Sequence, residues 1–161
     1  MLFRHHFMIF GGYLLKQTFE LAFCCAASFS RTRPTFVSLD PSTFQNPVPV
    51  GSVLYLTATI VYSDPPLVHG ASDEISSGKT ENAQTRVVVR VDSKVRNVEH
   101  GETKPTGQFN YTFTVDKDIK VMPKSYLEFM MYCDARRRVR GAFKHIEAGN
   151  ADEGSKGRVT E

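Results

Sequence analysis

The stretch FGGYLLKQTFELAF, Phe10–Phe23, decides how this chain folds. From Gly12 onward apolar side chains recur every three to four residues, as Leu15, Phe19, Ala22, Ala26 and Phe29. Leu14, Thr18, Leu21 and Cys25 flank that stripe, and only Lys16, Gln17 and Glu20 interrupt it. A helix so clothed is expected to be buried on most of its sides. It is expected to end around Arg31–Arg33, because Pro34 disfavours helical backbone in the residue before it. Lys16 and Glu20 also break the apolar run, so neither a secretory core nor a membrane span fits the N-terminal region.

Downstream the period changes from helix to strand. Residues 35–40 (TFVSLD) read as a short strand, and the proline-rich 41–50 as a connection. In 53–62, Leu54, Leu56, Ala58, Ile60 and Tyr62 fall on one face. In 85–95, Val87, Val89, Val91 and Val95 share a face, with Arg86, Arg90, Asp92, Lys94 and Arg96 opposite. That pattern belongs to a sheet with one buried and one wet side. Phe109, Tyr111, Phe113 and Val115 repeat it after a turn at 99–107. Residues 64–82 are polar and rich in Ser, Gly and Pro, and read as a flexible insertion loop. A second helix is expected over 124–140, opened by the capping box Ser125–Glu128, with Tyr126, Phe129, Met130 and Cys133 as its apolar face. Its arginines, Arg136, Arg137, Arg138 and Arg140, fall where cations favour a helix C-terminus, and 142–161 read as a disordered tail.

A length of 161 residues fits one domain. The formal charge of +3 lacks the dense basic face of a nucleic-acid binder. Cys24, Cys25 and Cys133 have no metal-ligand spacing, so no metal is expected, and they read as reduced, partly buried thiols. A long helix, four antiparallel strands and a terminal helix make an α+β architecture, a curved sheet wrapped around its central helix.

That order resembles the hotdog fold and, more closely, the mitochondrial acyl-coenzyme A thioesterase 9 family. The resemblance is carried by FGGYLLKQTFELAF (Phe10–Phe23), PVPVGSVLYLTATIVYSD (Pro47–Asp64), RVDSKVRNVEHGETKPTGQFNYTF (Arg90–Phe113) and MPKSYLEFMMYCDARRRVRG (Met122–Gly141). It implies a single hotdog domain over residues 8–141, similar to the second of the two that this family carries in tandem. The fold usually has a strand and an Asn-x-His loop before Phe-Gly-Gly. Here His6 takes the His position, Arg4 stands in place of Asn, and only three residues come before Arg4. The chain therefore reads as truncated ahead of its first strand. Many related thioesterases carry an Asp seven residues after the second Gly, where this chain has Phe19 followed by Glu20.

The resemblance implies hydrolysis of acyl-CoA thioesters to free fatty acid and coenzyme A, in fatty acid metabolism. Coenzyme A enters only as part of the substrate, and no separate cofactor is expected. Gly11 and Gly12 are the expected oxyanion site, since helix-start N–H groups are free and no side chain blocks approach. The bland reading of the pair is a tight turn into the helix. Glu20, the only acid between Met1 and Leu39, is the expected base or nucleophile if burial raises its pKa. Against that stands an exposed ion pair with Lys16. His6 is the expected helper in orienting substrate or water. Arg96, Arg136 and Arg137 are the candidates for the coenzyme A phosphates, against the plainer reading of a solvated face. Hotdog enzymes place the active site between two units, so the expected partners are acyl-CoA and a second hotdog unit, as a homodimer or tandem domain. Neither nucleic acid nor a membrane span is expected. A mitochondrial location is implied by the resemblance alone, with the cytosol as alternative. The competing reading is a catalytically inactive truncated hotdog that dimerises or binds acyl-CoA. A third reading, an acyl-thioester dehydratase, would need a His and an acid from facing subunits.

Overall fold

The computed structural model describes residues 8–64, 84–98 and 100–156, with the backbone alone beyond residue 141. The expected insertion loop, apart from Asp64, and His6 lie outside the described residues. The chain divides into two compact units, Met1–Val121 and Met122–Glu161.

The first unit begins with α1, Gly11–Ser30. It ends one residue ahead of the expected stretch, with Arg31 in the left-handed region at φ 56° and its N–H donating to the Ala27 carbonyl. Four antiparallel strands come next: β1 (Thr35–Leu39), β2 (Val53–Ser63), β3 (Thr85–Arg96) and β4 (Thr103–Val115). Their order in the sheet is β1-β4-β3-β2. β4 starts earlier than its apolar alternation suggested, because the chain reverses tightly around Gly101 (φ 68°), where Gly101 N–H reaches the Asn97 carbonyl. Pro105 cannot donate to the ladder. Its strand slips register opposite Ser93 and Lys94, and Thr106 Oγ1 donates to Ser93 Oγ, which donates to the Gly107 carbonyl.

The buried face is the one the alternation pointed to. Val87, Val89 and Val91 of β3, with Phe109, Tyr111, Phe113 and Val115 of β4, pack with Ala22 and Ala26 of α1 in one cluster. The helix meets the sheet through a line different from the expected one. Its buried residues are Leu14, Thr18, Ala22, Ala26 and Ser30, spaced by four, while the stripe residue Phe29 is 41% exposed. Small side chains at 18, 22, 26 and 30 let the helix approach closely, and Leu15, Phe19, Leu21 and Phe23 fill the flanks. The opposite line, Tyr13, Lys16, Glu20, Cys24 and Ser28, is exposed. The expectation of burial on most sides is thus narrowed: among the described residues, one sheet covers one side of α1 and its flanks.

Thr18 joins helix to sheet chemically. Its hydroxyl lies 2.7 Å from the Tyr111 hydroxyl and donates to the Leu14 carbonyl at 3.0 Å. Tyr111 is 2% exposed, and burial pushes its phenol above the ordinary value of 10.0. Tyr111→Phe removes one hydroxyl while Thr18 keeps its backbone acceptors. It is expected to lower stability by about 1 kcal/mol in urea unfolding. A phenol whose folded pKa is raised stabilises the fold below pH 10.0 and loses that contribution as pH rises through the folded value. The alkaline loss of stability is therefore expected to be smaller in the variant than in the parent chain.

The second unit contains α2, Tyr126–Lys156. The capping box forms as read: Glu128 N–H donates to Ser125 Oγ at 3.2 Å, and Glu128 Oε2 accepts from Ser125 N–H at 3.3 Å. α2 runs on through 142–156, where a tail was expected; no proline interrupts the sequence after Pro123. The four arginines therefore sit mid-helix rather than at its C-terminus. Tyr126, Phe129 and Met130 are 79%, 50% and 49% exposed, so the apolar face is uncovered by its own unit. The thiols also differ from the expected partial burial. Cys24 and Cys133 are exposed, and Cys25 is half-buried with its pKa raised by burial.

Candidate functional site

α1 opens without a side-chain cap. Phe10 occupies the N-cap position in extended conformation (φ −65°, ψ 136°) and has no hydroxyl, amide or carboxylate to offer the first turn. Tyr13 and Leu14 N–H donate to the Phe10 carbonyl, whereas the N–H groups of Gly11 and Gly12 precede any intrahelical acceptor. The positive end of the helix dipole, about half a unit charge, adds to them. This is the arrangement that accepts a carbonyl oxygen gaining negative charge.

Two aromatic rings flank the glycines, and neither contact is signalled in the sequence. A Cβ on Gly11 would lie 3.1 Å from the Phe44 ring, and one on Gly12 would lie 2.4 Å from the Phe10 ring. Phe44 is held by a bridge to Gly107 and by a tilted ring contact with Phe109, centroids 5.5 Å apart. Phe10 is 80% exposed. The glycines therefore have a packing reason as well as an exposed-backbone one. Beneath this end, Leu14, Val48 and Val95 form a small core with Ile9 and Leu54, and Ile9 N–H donates to the Val48 carbonyl at 2.8 Å. A cleft of about 280 Å³ at the same end is lined by Asn46, Pro49, Val95, Asn97 and Lys104.

The other expected site residues separate. Glu20 is exposed, and its carboxylate lies 3.8 Å from Lys16 Nζ with side chains 55% and 68% exposed. A single chain leaves it exposed beside Lys16, so the burial that the base reading needs is not supplied by this chain alone. Eight residues of helix rise put it about 12 Å along the axis from Gly12, so the two cannot meet one substrate carbonyl within one chain. Phe19, at the position of the acid in many related thioesterases, is packed among Phe23, Phe36, Tyr111 and Phe113, with centroids 5.3–6.4 Å apart. Arg96 is exposed at the end of β3, next to Val95 and so at the α1-start end of the sheet. Arg136 and Arg137 are exposed in the second unit, Arg137 paired with Asp134 at 3.1 Å. A larger cleft, about 380 Å³, lies along the wet face of β3 beside Arg90, Asp92, Lys94 and Gln108, where Arg90 is held on Asp92 by bonds of 2.9–3.0 Å.

No protein-family model matches the chain. Its sequence is 35% identical over 130 residues, 80% of the chain, to human mitochondrial acyl-coenzyme A thioesterase 9. It is 32% identical over 133 residues, 82% of the chain, to the mouse protein of that name. The chain belongs to the acyl-coenzyme A thioesterase 9 family. It spans about a quarter of the length of these relatives, 25% and 26%. Among solved structures, a hexameric acyl-CoA thioesterase superposes with a TM-score of 0.70 at 21% identity, covering 89% of this chain and 84% of that one. An acyl-CoA hydrolase of Staphylococcus aureus, solved with butyryl coenzyme A and coenzyme A, gives 0.69 at 21%, covering 95% and 87%. The fold is the hotdog fold. Among the described residues, no helix is long and apolar enough to cross a membrane.

Proposed function

We propose that this chain is one hotdog unit of a hydrolase that cleaves acyl-CoA thioesters to the free acid and coenzyme A. The observation that carries the reading is the uncapped start of α1 at Gly11 and Gly12 in a chain of this family. The thioester oxygen rests on those N–H groups. Water adds to the carbonyl carbon and gives a proton to a base. The carbon–sulfur bond then breaks, and the thiolate of coenzyme A takes the proton up. The base comes from a facing unit, because Glu20 stands too far along its own helix. Glu20 of a second copy is the candidate, buried once the units meet, and His6 is a candidate to orient the water. In the first unit Arg96 would offer forked hydrogen bonds to a phosphate of coenzyme A, and Arg136 and Arg137 of the second unit are separate candidates with the same chemistry. The second unit is a copy of this chain or a tandem domain. The mitochondrial names of the relatives support a mitochondrial location, and acyl-CoA hydrolysis there would serve fatty acid metabolism.

A second reading is favoured by Phe19: an aromatic cluster stands where an acid is common, as in a chain that pairs or holds acyl-CoA without turning it over. The two readings separate in a thiol-release assay of the purified chain with a set of acyl-CoAs. Hydrolysis by the parent chain and a loss of about 100-fold or more in Glu20→Ala supports the first. A folded parent chain that binds acyl-CoA and releases no thiol establishes the second.

A further inference from the structure

The side of α1 that the sheet leaves exposed begins over the first turn of the helix. It carries the helix's one lysine, Lys16, and one turn later Glu20. Four residues of helix rise put the Lys16 Cα about 6 Å beyond that of Gly12, on the same side of the helix. Helical side chains lean toward the N-terminus, so the patch that Lys16 covers lies over the turn before it, which begins at Gly11 and Gly12. An extended lysine stem spans about 6 Å from Cα to Nζ, enough to bring the amine over the free N–H groups of that turn. The contact that holds Lys16 is loose: Nζ lies 3.8 Å from the Glu20 carboxylate, with side chains 68% and 55% exposed. So exposed a pair restrains its partners weakly and lets Nζ swing. Lys104, which lines the cleft at the same end, is instead held on Glu102 at 3.0 Å.

We infer that Lys16 is a self-acylation site: with a thioester seated on Gly11 and Gly12, its amine takes the acyl group from coenzyme A. The inference rests on the oxyanion site of the proposed function and takes its acyl donor from that reading. A lysine attacks as the free amine, so an acceptor for its proton must stand beside it. The Glu20 carboxylate does. The ammonium gives one proton to Glu20. The nitrogen lone pair then adds to the carbonyl carbon while the oxygen rests on the two N–H groups. The carbon–sulfur bond breaks, and a second proton passes from the nitrogen to the departing thiolate. An Nε-acyl-lysine and free coenzyme A remain. Hydrolysis uses the same seat with water in place of the amine, so acylation is a side path that ends after one acyl group per chain. The amide carries no charge, and the mark therefore also removes the cation beside Glu20.

The test is incubation of the full chain with butyryl-CoA at neutral pH, followed by protease digestion and mass spectrometry of each lysine. Lys16 is expected to gain the acyl group at least about tenfold faster than Lys94, Lys104 and Lys117, because seating the donor makes the reaction one within a complex. The N-hydroxysuccinimide ester of acetate, a donor that needs no seat, is expected to show no such preference. Gly12→Ala, whose methyl crowds the seat, is expected to slow acylation of Lys16 by butyryl-CoA about tenfold and to leave its labelling by the ester unchanged. That contrast separates a seated donor from a lysine that is merely reactive. Lys16→Arg is expected to lose the mark and keep hydrolysis. A Lys16 acylated no faster than the other three lysines, or equally fast in Gly12→Ala, overturns the inference. Steady thiol release from a chain whose Lys16 stays bare also overturns it and leaves hydrolysis standing. Release that stops at one thiol per chain, with the acyl group on Lys16, supports the inference and removes hydrolysis.

Discussion

Phe113→Ala is expected to lower the free energy of unfolding by about 3–5 kcal/mol, the cost of emptying a large aromatic site in a core. Phe113 is fully buried on β4 and meets four rings: Phe19 and Phe23 of α1, Phe36 of β1 and Tyr111 of its own strand, with centroids 6.0–6.4 Å apart. It therefore joins the helix, the central pair of strands and the β1 edge through one side chain. Because α1 and β1 depend on the same ring, its removal leaves a cavity that no single element can close by moving. Urea unfolding followed by far-ultraviolet circular dichroism measures the loss. Phe29→Ser is the comparison, since Phe29 is 41% exposed outside the buried line and is expected to change stability by about 0.5 kcal/mol or less. Equal losses in the two variants would contradict this account of the core.

Gly12→Ala is expected to cost activity and leave the fold alone. Alanine at the first turn favours helix over glycine by about 0.5–1 kcal/mol. The added methyl collides at 2.4 Å with a ring, but Phe10 is 80% exposed and can turn away. The methyl and the displaced ring then occupy the approach to the N–H groups. If those groups hold the oxyanion, the turnover number for acyl-CoA falls by about 100-fold or more, while thermal unfolding shifts little. A folded variant hydrolysing within a few-fold of the parent would remove Gly12 from the chemistry and leave only its packing role. Gly11→Ala tests the same site from the other side, since there the methyl meets Phe44 at 3.1 Å, a ring held by Gly107 and Phe109.

The period-two patterns were legible because a strand shows alternate residues to opposite faces whatever it packs against. Val87, Val89 and Val91, and Phe109, Tyr111 and Phe113, are buried for that local reason. The Ser125–Glu128 box was legible because both of its bonds close within three residues. The helix was legible as a helix, but its buried line was not. Apolar residues cover so much of α1 that hydropathy cannot rank its faces, and the sheet chose the small ones at 18, 22, 26 and 30 because they permit close approach.

The site was less legible still. Gly11 and Gly12 could be singled out because missing side chains are written in the sequence. That Phe44 and Phe10 flank them could not be read, since Phe44 reaches Gly11 only after 33 residues of chain have returned through β1 to bridge Gly107. The state of Glu20 was likewise undecidable. The same carboxylate is desolvated or exposed according to what covers its side of α1, and in this chain it is left in water beside Lys16. By itself the sequence determined the features that neighbours within a turn or a pleat dictate: the elements, the buried face of the sheet, the cap of α2 and the candidate glycines. Only the tertiary structure decided which side of α1 is covered and which rings stand over its first turn. Those are contacts between residues far apart in the chain, and local periodicity carries no information about them.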